Sequence, residues 1–200
     1  MRKQGSVALI ITLGCLLMLS GCVSNIWTGA TLIYGRHNTY LKINDFQLNA
    51  SANRALYKDL LFKQDDIAIE LAVFNRDVLM VGHVPTLVLR QEAYARVDAA
   101  TPEKRRFFNQ LVVGKTPDNT VQDAWITTKI RSHILANSDI NPDAFKIVTS
   151  GRIVYLMGDV IPDQAQKVIL FARECRGVKR VVKLLKYYHL SDHPALFPSS

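Results

Sequence analysis

The side chains of this 200-residue sequence that offer most scope for reactive chemistry are three cysteines and five histidines. Cys175 lies between Glu174 and Arg176, and no histidine is near it in sequence. A thiolate nucleophile needs a nearby histidine or a positive pocket to lower its pKa. The sequence therefore favours a buried or half-buried structural cysteine at the end of a helix over a catalytic thiol.

The histidines do not form a recognisable metal site. His189 and His193 are four residues apart, which can place two imidazoles on one helical face, but Pro194 follows at once and no third ligand is close. The sequence also lacks a Gly-rich phosphate loop, a nucleophile elbow and a zinc-protease helix motif. We therefore expect no enzyme, no catalytic residue, no metal and no cofactor. The isolated histidines are expected at the surface or at helix caps: His37, His83 and His133.

Cys22 stands in a different context, at the end of an export signal. Arg2 and Lys3 precede an apolar run of about 13 residues, shorter than the roughly 20 needed to cross a bilayer as a helix. The run ends in Leu19-Ser20-Gly21-Cys22, which resembles the lipobox at which bacterial lipoproteins are cleaved and lipidated. The alternative is an ordinary signal peptide with a chance cysteine. The motif predicts a signal peptide over residues 1–21, with diacylglycerol and acyl groups carried covalently by Cys22.

Lipidation has consequences for location and for the remaining thiols. Two or more acyl chains hold a protein stably on a membrane. Val23, in place of the aspartate that favours the inner membrane, predicts the periplasmic face of the outer membrane. Since cleavage removes Cys15 and lipidation uses Cys22, Cys175 would be the one free thiol, and no disulfide within the chain is expected.

The mature chain contains an internal repeat. Residues 78–84 (VLMVGHV) match residues 154–160 (VYLMGDV) at an offset of 76, with four apolar residues, a glycine, a polar residue and a valine. A period of this length indicates a duplicated domain. We expect an anchored N-terminal linker over 22–44, a first domain over 45–113, a polar linker over 114–119, a second domain over 120–188 and a flexible tail over 189–200.

Each copy is predicted as helix, strand, strand, helix, strand, from the change between helical and alternating apolar spacing. This order predicts an α+β fold, with helices packed on a small three-stranded sheet in each domain. The first copy has a helix at 51–62, with Ala52, Leu56 and Leu60 on one face, strands at 67–73, 78–81 and 107–113, and a helix at 85–97. The second has helices at 121–135 and 162–175 and strands at 145–149, 153–157 and 178–188.

Charge is distributed unevenly between the copies. Residues 44–113 carry nine Lys or Arg and nine Asp or Glu, whereas residues 120–188 carry eleven and six, an excess of five within a chain of net charge +8. Such asymmetry indicates an anionic partner. Because an exported, lipid-anchored protein does not ordinarily meet nucleic acid, anionic phospholipid head groups are the expected polyanion.

The predicted helix at 121–135 has two apolar stripes. At 100° per residue, Ile126, Ile130 and Ile134 fall on one side, fit for the core. Lys129 and Arg131 flank the opposite stripe, and such an arrangement suits a membrane interface. Packing of that stripe against the first domain or against a second copy of the protein remains the alternative. The opposite stripe contains Val121, Ala124, Trp125, Thr128, Ser132 and Leu135.

These elements carry a family resemblance. The unit order and the apolar-Gly-x-Val strand end resemble the BON domain, named for bacterial osmotic-shock and nodulation proteins. Residues 125–132 (WITTKIRS), 154–158 (VYLMG) and 177–181 (GVKRV) are similar to the second domain of dual-BON outer-membrane lipoproteins. The first copy lacks the glycine expected before its last strand and has Pro102-Glu103-Lys104 there instead.

The resemblance implies that the first helix of the second domain binds phospholipid. Carried onto this sequence, the candidate residues are Trp125, Thr128, Lys129, Ser132, His133 and Leu135, and Arg131 joins them as a flanking cation. The expected function is an outer-membrane lipoprotein that binds phosphatidylglycerol or cardiolipin and supports envelope integrity, including at division sites. The alternative is a periplasmic protein-interaction or chaperone-like module that assists outer-membrane protein assembly.

Overall fold

The computed structural model describes residues 31–188, with side chains from Lys42 onward. The predicted signal peptide, Cys22 and the tail at 189–200, which includes His189 and His193, lie outside the described residues, as does the side chain of His37. From Thr39 onward the described residues, which include all six strands, belong to one compact unit. Within the described residues, no helix combines the length and the apolar character required to cross a membrane.

The predicted order of elements occurs twice, which confirms the α+β fold. The first repeat consists of α1 (Thr31–Leu56), β1 (Ala68–Phe74), β2 (Asp77–Val84), α2 (Leu87–Ala100) and β3 (Arg106–Val113). The second consists of α3 (Thr120–Ala136), a short 3-10 helix (Pro142–Ala144), β4 (Phe145–Ser150), β5 (Ile153–Val160), α4 (Pro162–Glu174) and β6 (Arg180–Tyr187). Each repeat forms its own three-stranded sheet, in the orders β1-β2-β3 and β4-β5-β6.

The central strand of each sheet is buried on both faces. It pairs antiparallel with the strand before it and parallel with the strand after it. In β2, Val78 and Met80 pack with the helices of the same repeat, whereas Leu79 and Val81 face the other way. In β5, Tyr155 and Met157 are the counterparts of Leu79 and Val81. Burial on both sides explains why these strands read as unbroken apolar runs.

The two repeats meet through those second faces. Ala72, Leu79 and Val81 of the first sheet share an apolar cluster with four residues of the second. These four are Val148, Tyr155, Met157 and Leu184. The helices of each repeat pack on the opposite face of their own sheet, in separate cores.

An ionic cluster adds to this contact. Asp77, which is 1% exposed, accepts hydrogen bonds from the guanidinium groups of Arg105 and Arg106. Arg105 also forms an ion pair with Asp159 of the second repeat, at 2.8 Å, and Asn75 donates its side-chain amide to the same carboxylate at 3.1 Å. Paired in this way, a nearly buried carboxylate is satisfied at the junction of the repeats.

The glycine shared by the two copies is required for close approach of the backbone. A Cβ on Gly82 would lie 1.9 Å from the carbonyl oxygen of Ala68, and one on Gly158 would lie 2.4 Å from that of Ala144. No real Cβ is tolerated at such distances, so a glycine is required where a carbonyl group of the preceding segment approaches β2 or β5.

The first helix departs from its prediction at both ends. Within the described residues it runs from Thr31, inside the expected linker, rather than from residue 51. Residues 31–50 contain no proline that would break it. Its buried face is Leu48, Ala52 and Leu56. Leu60, which was assigned to that face, is 78% exposed, since the helix ends at Leu56 and the chain turns there. That assignment was wrong.

Candidate functional site

Helix α3 is held on the second sheet by the predicted stripe. Ile126, Ile130 and Ile134 are buried and pack with Phe145 and Val168 of the same core. Isoleucines at i, i+4 and i+8 form a narrow band on one side of a helix, so the face opposite them points away from the sheet.

That opposite face is exposed and largely apolar. Val121 is 85% exposed, Trp125 47% and Leu135 72%. Thr128 and Ser132 lie between them and are also exposed. The apolar cluster that joins the two repeats contains sheet residues and none from α3. Trp125 and Leu135 are thus not part of the apolar cluster that joins the two repeats.

The side of α3 nearest α4 carries Lys129 and His133. The His133 ring stacks on Phe171 of α4, with the ring centroids 3.4 Å apart and the planes 2° from parallel. Burial raises the pKa of the Cys175 thiol, and the positive charge of Lys129 partly opposes this rise. The charge of Lys129 therefore acts on the end of α4, while the imidazole of His133 stacks on an aromatic ring. Cys175 is a buried free thiol, as predicted for a structural cysteine.

The other side of α3 carries Arg131. Its guanidinium donates a hydrogen bond to the carbonyl oxygen of Ile147 in β4, at 3.1 Å. The structure therefore separates the seven candidate residues. All seven are exposed, but among the residues with described side chains five of them form no hydrogen bond, ion pair or ring contact, whereas Arg131 and His133 each contact a neighbouring element. The five are Trp125, Thr128, Lys129, Ser132 and Leu135.

An open cleft of about 780 Å³ lies beside Arg131 and is lined by both repeats. The Thr127 hydroxyl donates to the Thr149 hydroxyl at 2.7 Å, and no base is paired with either. Burial lowers the pKa of His83, also in the lining, against the opposing charge of Asp123. Among residues with described side chains, no three His, Cys, Asp or Glu groups converge in a way that could hold a metal ion. Among the described side chains that line the cleft, no hydroxyl is hydrogen-bonded to a histidine or a carboxylate.

Sequence reasoning missed a pair of carboxylates that organise both repeats. Each hairpin turns through two residues with left-handed backbone, at φ 46° and 65° in the first repeat and 60° and 66° in the second. Asp45 of α1 accepts hydrogen bonds from the two turn amides of the first repeat, at 2.7 and 2.8 Å. Asp123 of α3 accepts the equivalent pair, at the same distances. The repeat offset of 76 pairs the two hairpin turns, but it places Asp123 two residues beyond the position that matches Asp45, so the sequence repeat alone does not reveal this pair.

Comparison with known proteins agrees with this architecture. The family model for the BON domain matches residues 122–187. The "21 kDa hemolysin" of Actinobacillus pleuropneumoniae is 30% identical over 148 residues, which cover 73% of this chain and 75% of that protein. "Outer membrane lipoprotein DolP" of Haemophilus influenzae is 26% identical over 185 residues, which cover 90% of this chain and 95% of that protein.

A solved structure, the C-terminal domain of CdsD from the type III secretion system of Chlamydia trachomatis, covers 68% of this chain and 96% of its own. Its TM-score is 0.29 at 8% identity, so it adds nothing to the assignment. The similarity to DolP and the BON match support an envelope-associated lipoprotein. With two α+β repeats, a matched domain model and a relative at 30% identity, the chain belongs to the BON-domain family.

Proposed function

We propose that this chain is a lipoprotein of the outer membrane, held at its periplasmic face by acyl chains on Cys22, and that its second BON domain docks onto anionic phospholipid through α3. The relative named as an outer membrane lipoprotein supports the location. The proposed role is a binding module that supports envelope integrity, including at division sites, where docking would select lipid-rich membrane. No reaction is part of it.

The observation that carries the proposal is the exposed apolar face of α3. Val121, Trp125 and Leu135 all remain accessible to solvent on a helix whose other side is fully buried. Apolar groups in such a row are costly to leave in water and insert readily between lipid head groups, where an indole is especially favourable. Lys129, at the edge of the same face, can meet a lipid phosphate.

The lipid tether makes weak docking sufficient. Once Cys22 is anchored, α3 is confined near the membrane, and its docking becomes an intramolecular step with a high effective concentration. A contact of low intrinsic affinity can then be well populated. The docking helix therefore needs only a few apolar side chains and a few cations.

The test is a flotation assay with residues 22–200 without acyl groups, which includes all residues of both described cores. The fragment is mixed with vesicles of phosphatidylcholine alone, or with added phosphatidylglycerol or cardiolipin. We expect strong flotation only with the anionic vesicles, and a loss of binding as salt rises, because exposed charges are screened beyond about 8 Å at physiological ionic strength.

Equal binding to neutral and anionic vesicles would contradict the proposal. No binding to any vesicle would leave the protein-interaction alternative in its place, since a protein partner would not depend on lipid composition.

A further inference from the structure

The excess positive charge of the second repeat is confined to one short segment. Residues 175–188 contain five Lys or Arg and no Asp or Glu, whereas residues 120–174 contain six of each. Helix α3 itself carries Lys129 and Arg131 against Asp123. The charge that indicated an anionic partner therefore does not lie on the helix that carries the exposed tryptophan.

The segment forms the loop before β6 and the strand itself. β6 is an edge strand, hydrogen-bonded to β5 and to no other strand among the described residues. Its apolar residues pack on both faces of the sheet, Val181 and Leu185 with the helices and Val182 and Leu184 towards the other repeat. Firm packing of the strand fixes the position of the charges it bears.

The cations of this segment are exposed: Arg176, Lys179, Arg180, Lys183 and Lys186. Arg180 contacts the Tyr155 hydroxyl. Within the part of the chain whose side chains are described, none of the three lysines takes part in an ion pair. Their charges are available to a ligand outside the protein.

The matching edge strand of the first repeat shows that the fold does not require such charges. Lysines on an edge strand often serve only to prevent pairing with another sheet. In β3, however, the one cation is Arg106, and it is committed to Asp77 and to the face of the Phe108 ring. If edge protection were the reason for the charges, β3 would need them too.

The basic segment begins beside the lipid-docking face of α3. A Cβ placed on Gly177 would lie 2.8 Å from the side-chain nitrogen of Gln122, in the first turn of α3. Lys129 is near enough to Cys175 for its charge to act on the thiol. The start of the segment thus adjoins the N-terminal half of α3, which carries Trp125.

We infer that the loop and edge strand at 176–186 form a second membrane contact, which binds the head groups of anionic phospholipids while α3 inserts its apolar side chains. This inference rests on the proposed function and assigns its charge dependence to residues outside α3. The attraction of several basic residues to an anionic leaflet adds to the binding free energy that apolar insertion provides. The apolar helix would bind any bilayer weakly, and the basic strand would select the anionic one.

The test uses residues 22–200 without acyl groups in three forms. The first is the unchanged fragment. The second is the triple variant Lys179→Gln, Lys183→Gln, Lys186→Gln, which leaves Arg180 on Tyr155. The third is a control with the same loss of charge in the first repeat, Arg54→Gln, Lys58→Gln, Lys63→Gln, whose side chains are also exposed. Binding to phosphatidylglycerol-containing vesicles is titrated at several salt concentrations, and thermal unfolding checks that both variants fold.

We expect the lysine triple variant to bind roughly 100-fold more weakly at low salt and to lose most of the salt dependence, since each cation at an anionic surface contributes a similar increment. The control should change by less than about fivefold, because charges remote from the contact are screened. Weak residual binding of the lysine variant should be alike for anionic and neutral vesicles.

Two results would overturn the inference. If the lysine variant binds anionic vesicles as the unchanged fragment does, the charge selectivity resides in α3 and the proposed function stands without the second contact. If the two triple variants lose equal affinity, net charge and not this surface is responsible. Failure of the proposed function is a different result, in which the unchanged fragment itself does not bind.

Discussion

Replacing Trp125 with glutamate should remove vesicle binding while leaving the second repeat folded. The residue is 47% exposed. An aromatic side chain buries about 150–250 Å² when fully covered, so roughly 100 Å² of Trp125 is left for lipid to cover, worth about 2.5 kcal/mol. Repulsion between a carboxylate and anionic head groups adds about 1 kcal/mol. Together these terms predict a loss of binding on the order of several hundredfold.

The assay is a vesicle titration of residues 22–200 without acyl groups, paired with thermal unfolding. Val88→Glu is the matched control, since Val88 is an exposed apolar residue on α2 of the first repeat and the change in charge is the same. It should bind vesicles normally. Ile130→Glu is the control for unfolding, because Ile130 is fully buried and an unpaired charge there should cost about 4 kcal/mol or more.

The reasoning is refuted if Trp125→Glu lowers the melting temperature as much as Ile130→Glu does. In that case the indole would be a packing residue, and loss of vesicle binding would only report unfolding. Normal binding by a folded Trp125→Glu variant would also refute it, because the exposed stripe would then make no contact with lipid.

Three further outcomes are expected. Cys22→Ser should leave the chain without acyl label and absent from the outer-membrane fraction, and normal labelling would exclude the lipobox assignment. Asp123→Ala should lower the free energy of unfolding, measured in urea, by about 3 kcal/mol, because two backbone amides lose a charged acceptor. An unchanged midpoint of the urea transition would show that the turn does not need this carboxylate. Burial alone would raise the pKa of Asp77, but hydrogen bonds from Arg105 and Arg106 hold that pKa below its usual value. The resulting stabilisation is present above the pKa of the unfolded state and is lost as pH falls through the pKa of the folded state. The native protein should therefore exceed Asp77→Asn in free energy of unfolding at neutral pH, by an amount that shrinks below about pH 4. A constant difference in that free energy from pH 7 to pH 3 would contradict this prediction.

Much of the fold followed from local pattern. The repeated strand at 78–84 and 154–160 was identified because the two segments share a pattern of four apolar residues, a glycine, a polar residue and a valine. Burial of β2 and β5 on both faces explains that pattern. The core stripe of α3 was identified because Ile126, Ile130 and Ile134 repeat at the helical period. In both cases the order of apolar residues along the chain was sufficient to predict the element.

The errors and omissions arose where contacts are distant in sequence. Leu60 fits the helical spacing of Ala52 and Leu56, but tertiary packing ends the helix before it, which spacing alone does not reveal. The acceptor role of Asp123 depends on a turn 28 residues further along the chain. Arg131 was predicted as a lipid contact from its position on the helix, and its hydrogen bond to a carbonyl group of the neighbouring strand could not be foreseen from that position.

The two-faced central strand also bears on how a tandem protein of this kind could arise. A chain with a single repeat would cover Val154 and Leu156 with its own helices but leave Tyr155 and Met157 in water. The nearest complementary surface would be the same face of another copy, which is the arrangement of a symmetric homodimer. Gene duplication with fusion would convert that dimer into one chain. The helices of one repeat could then change in sequence while the apolar face shared by the two repeats is preserved. On this view the join between the repeats is an ancestral subunit interface that became intramolecular.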